Sequence, residues 1–536
     1  MSRKYIRCTK MITDRKAGKR EGLMTEVTID ETNFKKLISQ RGRVLLSLAN
    51  MLCHSRSLKD IITRPFLGEM LVQSTEVEEL LDAFGAAYNC QWCRFRSLVA
   101  AVKGFSDAGY ELLHILSVLP DYHLLPTGKD FVTDTKETLE FISGVLLHVC
   151  CKFLTQADQL GLEIVPDGLN DMTFEEKLPE GKLPHLCERR HIETASDTVI
   201  LLATAFLNLA AGSKDVRAAA RAKPKDYAFY VADSVSEEKL RSLQLRFHNL
   251  QSLYDTYVSG TEATDLDTEL PILRGHISVV MHLLRTATLF AHYFERHISK
   301  KLCETRTRQG PLIQPDKLLS VLMNYSIAHT SLYIDCAVNL CQEKLKRYAE
   351  IGQIELPVPQ YRGFHVRPST LISKLVLHYG SNVQMQIDDE IYDACSPLEL
   401  FRANEKINAR KRRWLTQEIV RLNLVKEEVR KNNIEDIVLG VVLTLAGRAK
   451  LILYEQPLKL PEEPALVHGT LLEKVVDEIA RLLAMGKIDV ESKLTATFIG
   501  DKRVLNDIKI LAESGYGEDK FGNNVPLPEK LSYLRR

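Results

Sequence analysis

Apolar residues recur every three to four positions through most of the first 350 residues, which predicts helices over 33–55, 76–84, 92–119, 135–160, 194–211, 236–257, 270–301 and 314–351. Proline and glycine clusters at 119–128, 166–184 and 212–226 separate these runs. No period of about 30 to 45 residues repeats, so a helical-repeat solenoid is excluded. Beyond residue 350 the pattern changes. Ile354, Leu356 and Val358 alternate with polar or proline positions, which reads as a short strand. Gly363 supplies a turn, and Pro368 belongs in a first helical turn. From there Leu371, Ile372, Leu375, Val376 and Tyr379 follow at helical spacing until Gly380 ends the run. A second strand follows over 382–387, a third over 391–394, an amphipathic helix over 471–485, and a strand then helix over 491–515 before a polar tail. The implied architecture is a large all-α region, 1–350, joined to a smaller C-terminal α/β part.

The chemistry concentrates in Gly363 to Thr370, which reads G-F-H-V-R-P-S-T. His365 stands at or just before a helix N-terminus, where unpaired backbone N–H groups and the positive end of the helix dipole attract phosphate. A neutral imidazole nitrogen can attack a phosphoryl group, and the Arg367 guanidinium can hold two of its oxygens. The backbone amides of Val366 and Arg367 complete the candidate phosphate site. The bland alternative for His365 is a helix-capping histidine that carries no phosphate.

This segment resembles the active-site signature of the histidine-containing phosphocarrier protein (HPr) of the sugar phosphotransferase system, in which a G-x-H-x-R-P segment carries the phosphorylated histidine. The similarity runs without a gap through R-P-S-T-L-I-S-K-L-V-L-H-Y-G-S-N-V-Q-M-Q-I. It implies an open-faced α/β sandwich in which a third strand, a short helix, a fourth strand and a last helix follow. On this reading the HPr-like domain spans 351–488, with its short helix and fourth strand in 436–454 and its last helix in 471–485, and 489–536 is an extension. The resemblance also implies a regulatory position opening the short helix, and two residues compete for it. A gapless match to that helix selects Asp436, whereas counting forward from His365 selects Ser396, an N-cap candidate before Pro397. At Asp436 the charge would be fixed, although a plain helix cap explains the residue equally simply.

An insertion over 397–433 interrupts the domain. It holds ten Lys or Arg against five Glu, a net +5, and Trp414, Leu415, Ile419, Leu422, Val425 and Val429 mark a helical face. It would stand where the family docks its enzymes, obstructing or replacing them.

The whole chain, 536 residues and 45% apolar, suggests two to four domains with well-formed cores. Its net charge of +1 gives no global case for nucleic acid or membrane. No apolar run reaches a membrane span, the longest being 199–211, and the N-terminus lacks a signal-peptide core. Eleven cysteines in apolar surroundings suit reduced core thiols, so a cytoplasmic location is expected.

Three further constellations have plain readings. Cys90 and Cys93 lack a second C-x-x-C. His276, His282, His292, Glu295 and His297 crowd one helix, and E-x-x-H pairs occur at Glu111 with His114 and at Glu188 with His191, but spacings of this kind also arise by chance. Lys214, Arg217, Arg221, Lys223 and Lys225 read as a solvated linker. No phosphate-binding loop, G-x-S-x-G or H-E-x-x-H occurs, which disfavours common hydrolase and nucleotide-driven engines. No cofactor and no metal is expected. The favoured expectation is a phosphocarrier or phosphorylation-regulated protein that takes its group from the phosphotransferase-system general enzyme or another phosphohistidine donor. It would relay the group to a protein acceptor or signal through the helical region. The alternatives are a non-phosphorylated scaffold that keeps the fold for protein contacts, and nucleic-acid contact by the basic helix.

Overall fold

The structure is a computed structural model that describes residues 28–163, 174–176, 183, 195–261, 267–299, 311–425, 433–455, 457–460, 469–490 and 494–534. It is mostly helical (70%), with a small sheet toward the C-terminus. The chain divides into two compact units, one of Met1–Ser106, Ser143–Glu176 and Leu302–Gly310, the other of Asp107–Ile142, Lys177–Lys301 and Pro311–Arg536. The C-terminal sheet therefore shares a unit with much of the preceding helical region.

In the first unit, Asp30 caps the helix Glu31–Arg41 by accepting from the amides of Thr32 and Asn33. Gly42 divides the helix expected over 33–55 into Glu31–Arg41 and Arg43–His54. A cluster of Phe34, Trp92, Phe95 and Phe153 fills the core, with successive ring centroids 4.7, 5.7 and 4.8 Å apart.

The second unit is built on Leu270–Tyr293, which is buried along most of its length and packs on Glu237–Tyr257 and Ala328–Arg347. The expected helix over 314–351 is three pieces: Pro315–Val321, a π-helical segment Leu322–Ile327, and Ala328–Arg347. The run at 212–226 is not simply a solvated linker. It forms the helix Lys214–Ala219, and Arg217 pairs with Asp335. The thiols are also less uniformly internal than expected: Cys93, Cys150 and Cys341 are buried, whereas Cys90 and Cys151 are exposed. Among the described residues one helix, Phe131–Gln159, is long and apolar enough to cross a membrane by length and composition alone, where the longest apolar run expected from the sequence is 199–211.

After Arg347 the chain enters a four-stranded antiparallel sheet of β1 (Ile351–Pro357), β2 (Val383–Ile387), β3 (Glu390–Asp393) and β6 (Thr495–Asp501), ordered β1-β6-β2-β3. Alternation along β2 sends Val383, Met385 and Ile387 inward, and β6 contributes Ala496 and Phe498. The helices Val366–Tyr379 and Lys502–Glu513 pack against each other, the second also against β1 and β6.

Two expectations are corrected here. Residues 436–454 do not supply the sheet's last strand: they form the helix Ile434–Gly447 and β4 (Leu451–Leu453), which pairs with β5 (Ile488–Val490) in a separate sheet. Nor is 489–536 an extension, since β6 pairs with both β1 and β2. The helix Leu471–Ala484 exists, with a Thr470–Glu473 capping box, but packs in a small core with Leu415, Ile419, Val438 and Val442 rather than on the four-stranded sheet.

Candidate functional site

His365 is the N-cap of the helix Val366–Tyr379, as the proline spacing predicts. Arg362 and Gly363 precede it, both in the left-handed backbone region with φ of +53° and +61°. Glycine is required at 363 for a second reason: a Cβ there would lie 2.5 Å from Asn404 Oδ1. That oxygen accepts the amide of Phe364 at 2.8 Å, while Nδ2 of Asn404 donates to the carbonyl of Arg362 at 3.1 Å. Asp489 accepts the amide of Arg362 at 3.3 Å, and the Arg362 guanidinium donates to the carbonyls of Met485 and Gly486. The segment between β3 and β6 thus holds the unusual loop that carries the histidine. Replacing Asn404 by Ala is expected to cost about 1–3 kcal/mol, because two backbone groups lose their partner at once. Denaturant titration checks this, together with faster hydrogen exchange at the Phe364 amide. Unchanged exchange would show that the loop stands without Asn404.

At the helix mouth the amides of Val366 and Arg367 have no intramolecular acceptor among the described residues. His365, the Arg367 side chain and the two free N–H groups of Val366 and Arg367 thus lie around one helix end. Around them lie residues that the sequence pattern had no means of revealing. Glu518, whose side chain is 3% exposed, places Oε1 2.6 Å from His365 Nε2. A carboxylate at such a distance accepts a hydrogen bond from Nε2–H, which in the neutral ring leaves the lone pair on Nδ1. Asn524 Oδ1 accepts from Arg367 Nη1, and Tyr361 sets its ring edge-on to the imidazole with centroids 5.4 Å apart.

Glu518 and Asn524 belong to a tail that runs along the whole helix. Tyr516 is buried and donates to the carbonyl of Pro357 at 2.7 Å, and Leu527, Leu531 and Leu534 are buried beyond the turn. At the far end Tyr533 stacks on His378 with ring centroids 4.3 Å apart. His378 also faces Asn208 at 3.0 Å, and Gln342 donates to the carbonyls of Leu377 and His378. The histidine helix therefore has its chemical end under the tail and its other end against the helical bundle.

Burial pushes His378 down from its ordinary value to about 4. The unfolded chain binds a proton on this residue below about pH 6.5, where the folded chain does not, so stability falls as pH drops from about 6.5 toward 4. Stability at pH 5 is expected to be about 2 kcal/mol lower than at pH 7 from this residue alone. Urea unfolding of the parent chain and of His378→Gln at both pH values measures it as the difference between their pH slopes. Equal slopes would assign the acid sensitivity elsewhere.

The two regulatory candidates separate clearly. Ser396 caps Pro397–Arg402 directly after β3, its Oγ accepting the amide of Glu399 at 3.3 Å. Asp436 is the third residue of Ile434–Gly447, between β3 and β6, with Asn433 as N-cap. Three cations of the basic insertion meet carboxylates outside it, Lys406 with Glu390, Arg410 with Asp388 and the buried Lys411 with Asp489 at 2.6 Å, while Arg421 meets Glu418 within it. Lys426, Val429, Arg430 and Lys431 lie outside the described residues.

The other constellations are absorbed locally. Glu111 joins His282 at 2.6 Å and Arg285 at 3.1 Å, with the His114 ring beside His282. His276 bonds the carbonyl of Ile272, His292 meets Glu237, and Glu295 accepts the amide of Glu237. His297 stacks on Tyr293, and Cys90 and Cys93 gather no further ligand. Glu188 and His191 lie outside the described residues. No group of three or more metal-ligating side chains forms among the described residues. The chain matches no family model, no curated protein and no solved structure.

Proposed function

We propose that His365 is a phosphoryl acceptor in an HPr-like domain. The observation that carries this reading is the hydrogen bond from His365 to Glu518 at a helix mouth with two free amides. It frees Nδ1 as the nucleophile, while Arg367 and the amides of Val366 and Arg367 balance the charge of the arriving phosphoryl group. In the transfer Nδ1 forms a bond to phosphorus as the donor's bond to phosphorus breaks. Glu518 keeps the Nε2 proton in place and offsets the positive charge gained by the ring.

The order of elements supports the domain assignment. β1, the histidine helix, β2, β3, the short helix at Ser396, then β6 and the helix Lys502–Glu513 follow the succession that the resemblance implies, with 403–494 as one long insertion. On this alignment Ser396, not Asp436, opens the short helix and takes the regulatory position. Val366, Leu398 and Phe401 leave apolar side chains exposed on the two helices nearest the site, a surface suited to a protein donor or acceptor.

A second reading has its own support. The tail already occupies His365 and Arg367 through Glu518 and Asn524, which suits a regulatory domain that works by protein contacts without phosphorylation. Treating the purified chain with phosphoramidate, a small donor that needs no docking surface, separates the two. Acid-labile, alkali-stable phosphate on His365 is expected. A chain that takes up none would leave the contact-only reading in its place.

A further inference from the structure

Two turns of the histidine helix line a cavity of about 580 Å³, and the tail forms the opposite wall. Its cations are Arg367 and Lys374, seven residues apart and so about 10 Å along the axis, and the Thr370 hydroxyl between them donates to the carbonyl of Val366. Neither meets a carboxylate among the described residues: Arg367 has only the amide oxygen of Asn524, and its Nε is buried without a hydrogen-bond partner. Two cations facing one cavity with no anion between them leave an unbalanced positive field. The rest of the wall is mostly hydrocarbon, from Leu371 on the helix and Val525, Leu527 and Leu534 on the tail. The volume lies within the range of small-molecule sites.

We infer that this cavity binds an organic anion with an apolar body, a phosphate monoester or carboxylate whose charged head pairs with Lys374 and Arg367 and whose hydrocarbon lies on Leu371, Leu527 and Leu534. The ligand would touch helix and tail together. Its binding therefore favours the arrangement in which Glu518 and Asn524 rest on His365 and Arg367, by the ordinary linkage between a ligand and the state it prefers.

Calorimetric titration of the full chain with octyl phosphate, below its micelle concentration, tests the site. Saturable binding is expected, with octanol and inorganic phosphate each at least tenfold weaker. Lys374→Gln removes one charge from an exposed helical position and should weaken octyl phosphate about tenfold while leaving the fold intact. Slower hydrogen exchange at the Val525 amide, which bonds the carbonyl of Gly517, should accompany saturation. Octanol binding as tightly as octyl phosphate would reduce the site to an apolar groove. Inorganic phosphate binding equally well would remove the apolar half of the assignment, and unchanged Val525 exchange would place the ligand elsewhere. Each of these results overturns the proposal, and none depends on phosphorylation of His365.

Discussion

The His365→Ala chain is expected to take up no acid-labile phosphate from phosphoramidate under conditions that label the parent fully. In the proposed transfer the imidazole is the nucleophile, and the variant removes its lone pair. Arg367→Lys should retain labelling but slow it about 10- to 100-fold, because an ammonium cannot reproduce the planar two-donor grip of a guanidinium. Glu518→Gln tests the tautomer. A glutamine amide can turn its NH₂ toward Nε2 and move the ring proton to Nδ1, which blunts the nucleophile without disturbing the loop. Its labelling rate should therefore fall, with a changed pH profile, while Glu518→Asp recovers part of it. Initial rates of acid-labile incorporation, with circular dichroism to confirm folding, make the comparison. Equal labelling of parent and His365→Ala would put the phosphate on another side chain and end the assignment.

The second large effect concerns stability. Lys411 and Asp489 form an ion pair with side chains 4% and 3% exposed, and Asp489 also accepts the amides of Arg362 and Val490. Lys411→Met keeps the hydrocarbon volume but leaves a carboxylate buried without its cation. Breaking such a pair from one side costs about 3–5 kcal/mol, a large share of the stability of an ordinary domain. The double variant Lys411→Met with Asp489→Asn should recover part of that loss, because no unpaired charge stays buried, although the single amide oxygen replaces only one of the two carboxylate oxygens that accept from Arg362 and Val490. Denaturant unfolding followed in the C-terminal unit gives the numbers. A loss below about 1 kcal/mol in Lys411→Met would mean that water reaches Asp489. Because Asp489 also holds Arg362, the single variant should loosen the His365 loop as well.

These two tests bear on different parts of the molecule's legibility. Most helices of three or more turns could be placed from apolar spacing, since their hydrogen bonds close within four residues, although Arg64–Ala83 was expected only over 76–84. The same local logic placed His365 at a helix N-terminus with Arg367 beside it. At 436–454 the expected helix and strand are both present, but local spacing could not show that the strand pairs with β5 in a separate sheet and that Val438, Val442 and Leu445 pack in a second core. The strand at 495–501 was recognisable as a strand, but its seat between β1 and β2 depends on pairing across more than a hundred residues. The net +5 of 397–433 likewise says nothing of pairing, because composition cannot show that Lys406, Arg410 and Lys411 face Glu390, Asp388 and Asp489.

By itself, then, the sequence determined the helical character of most of the chain and the chemistry poised at the mouth of one helix. Both rest on side chains and backbone groups a few positions apart. The tertiary structure alone decided what surrounds that histidine. Glu518 reaches it from 153 residues away, Asn524 reaches the neighbouring Arg367 from 157, and Asn404 and Asp489 brace its loop from an insertion with its own core. Which carboxylate fixes the imidazole proton is a matter of long-range chain closure, and no local spacing in the sequence encodes it.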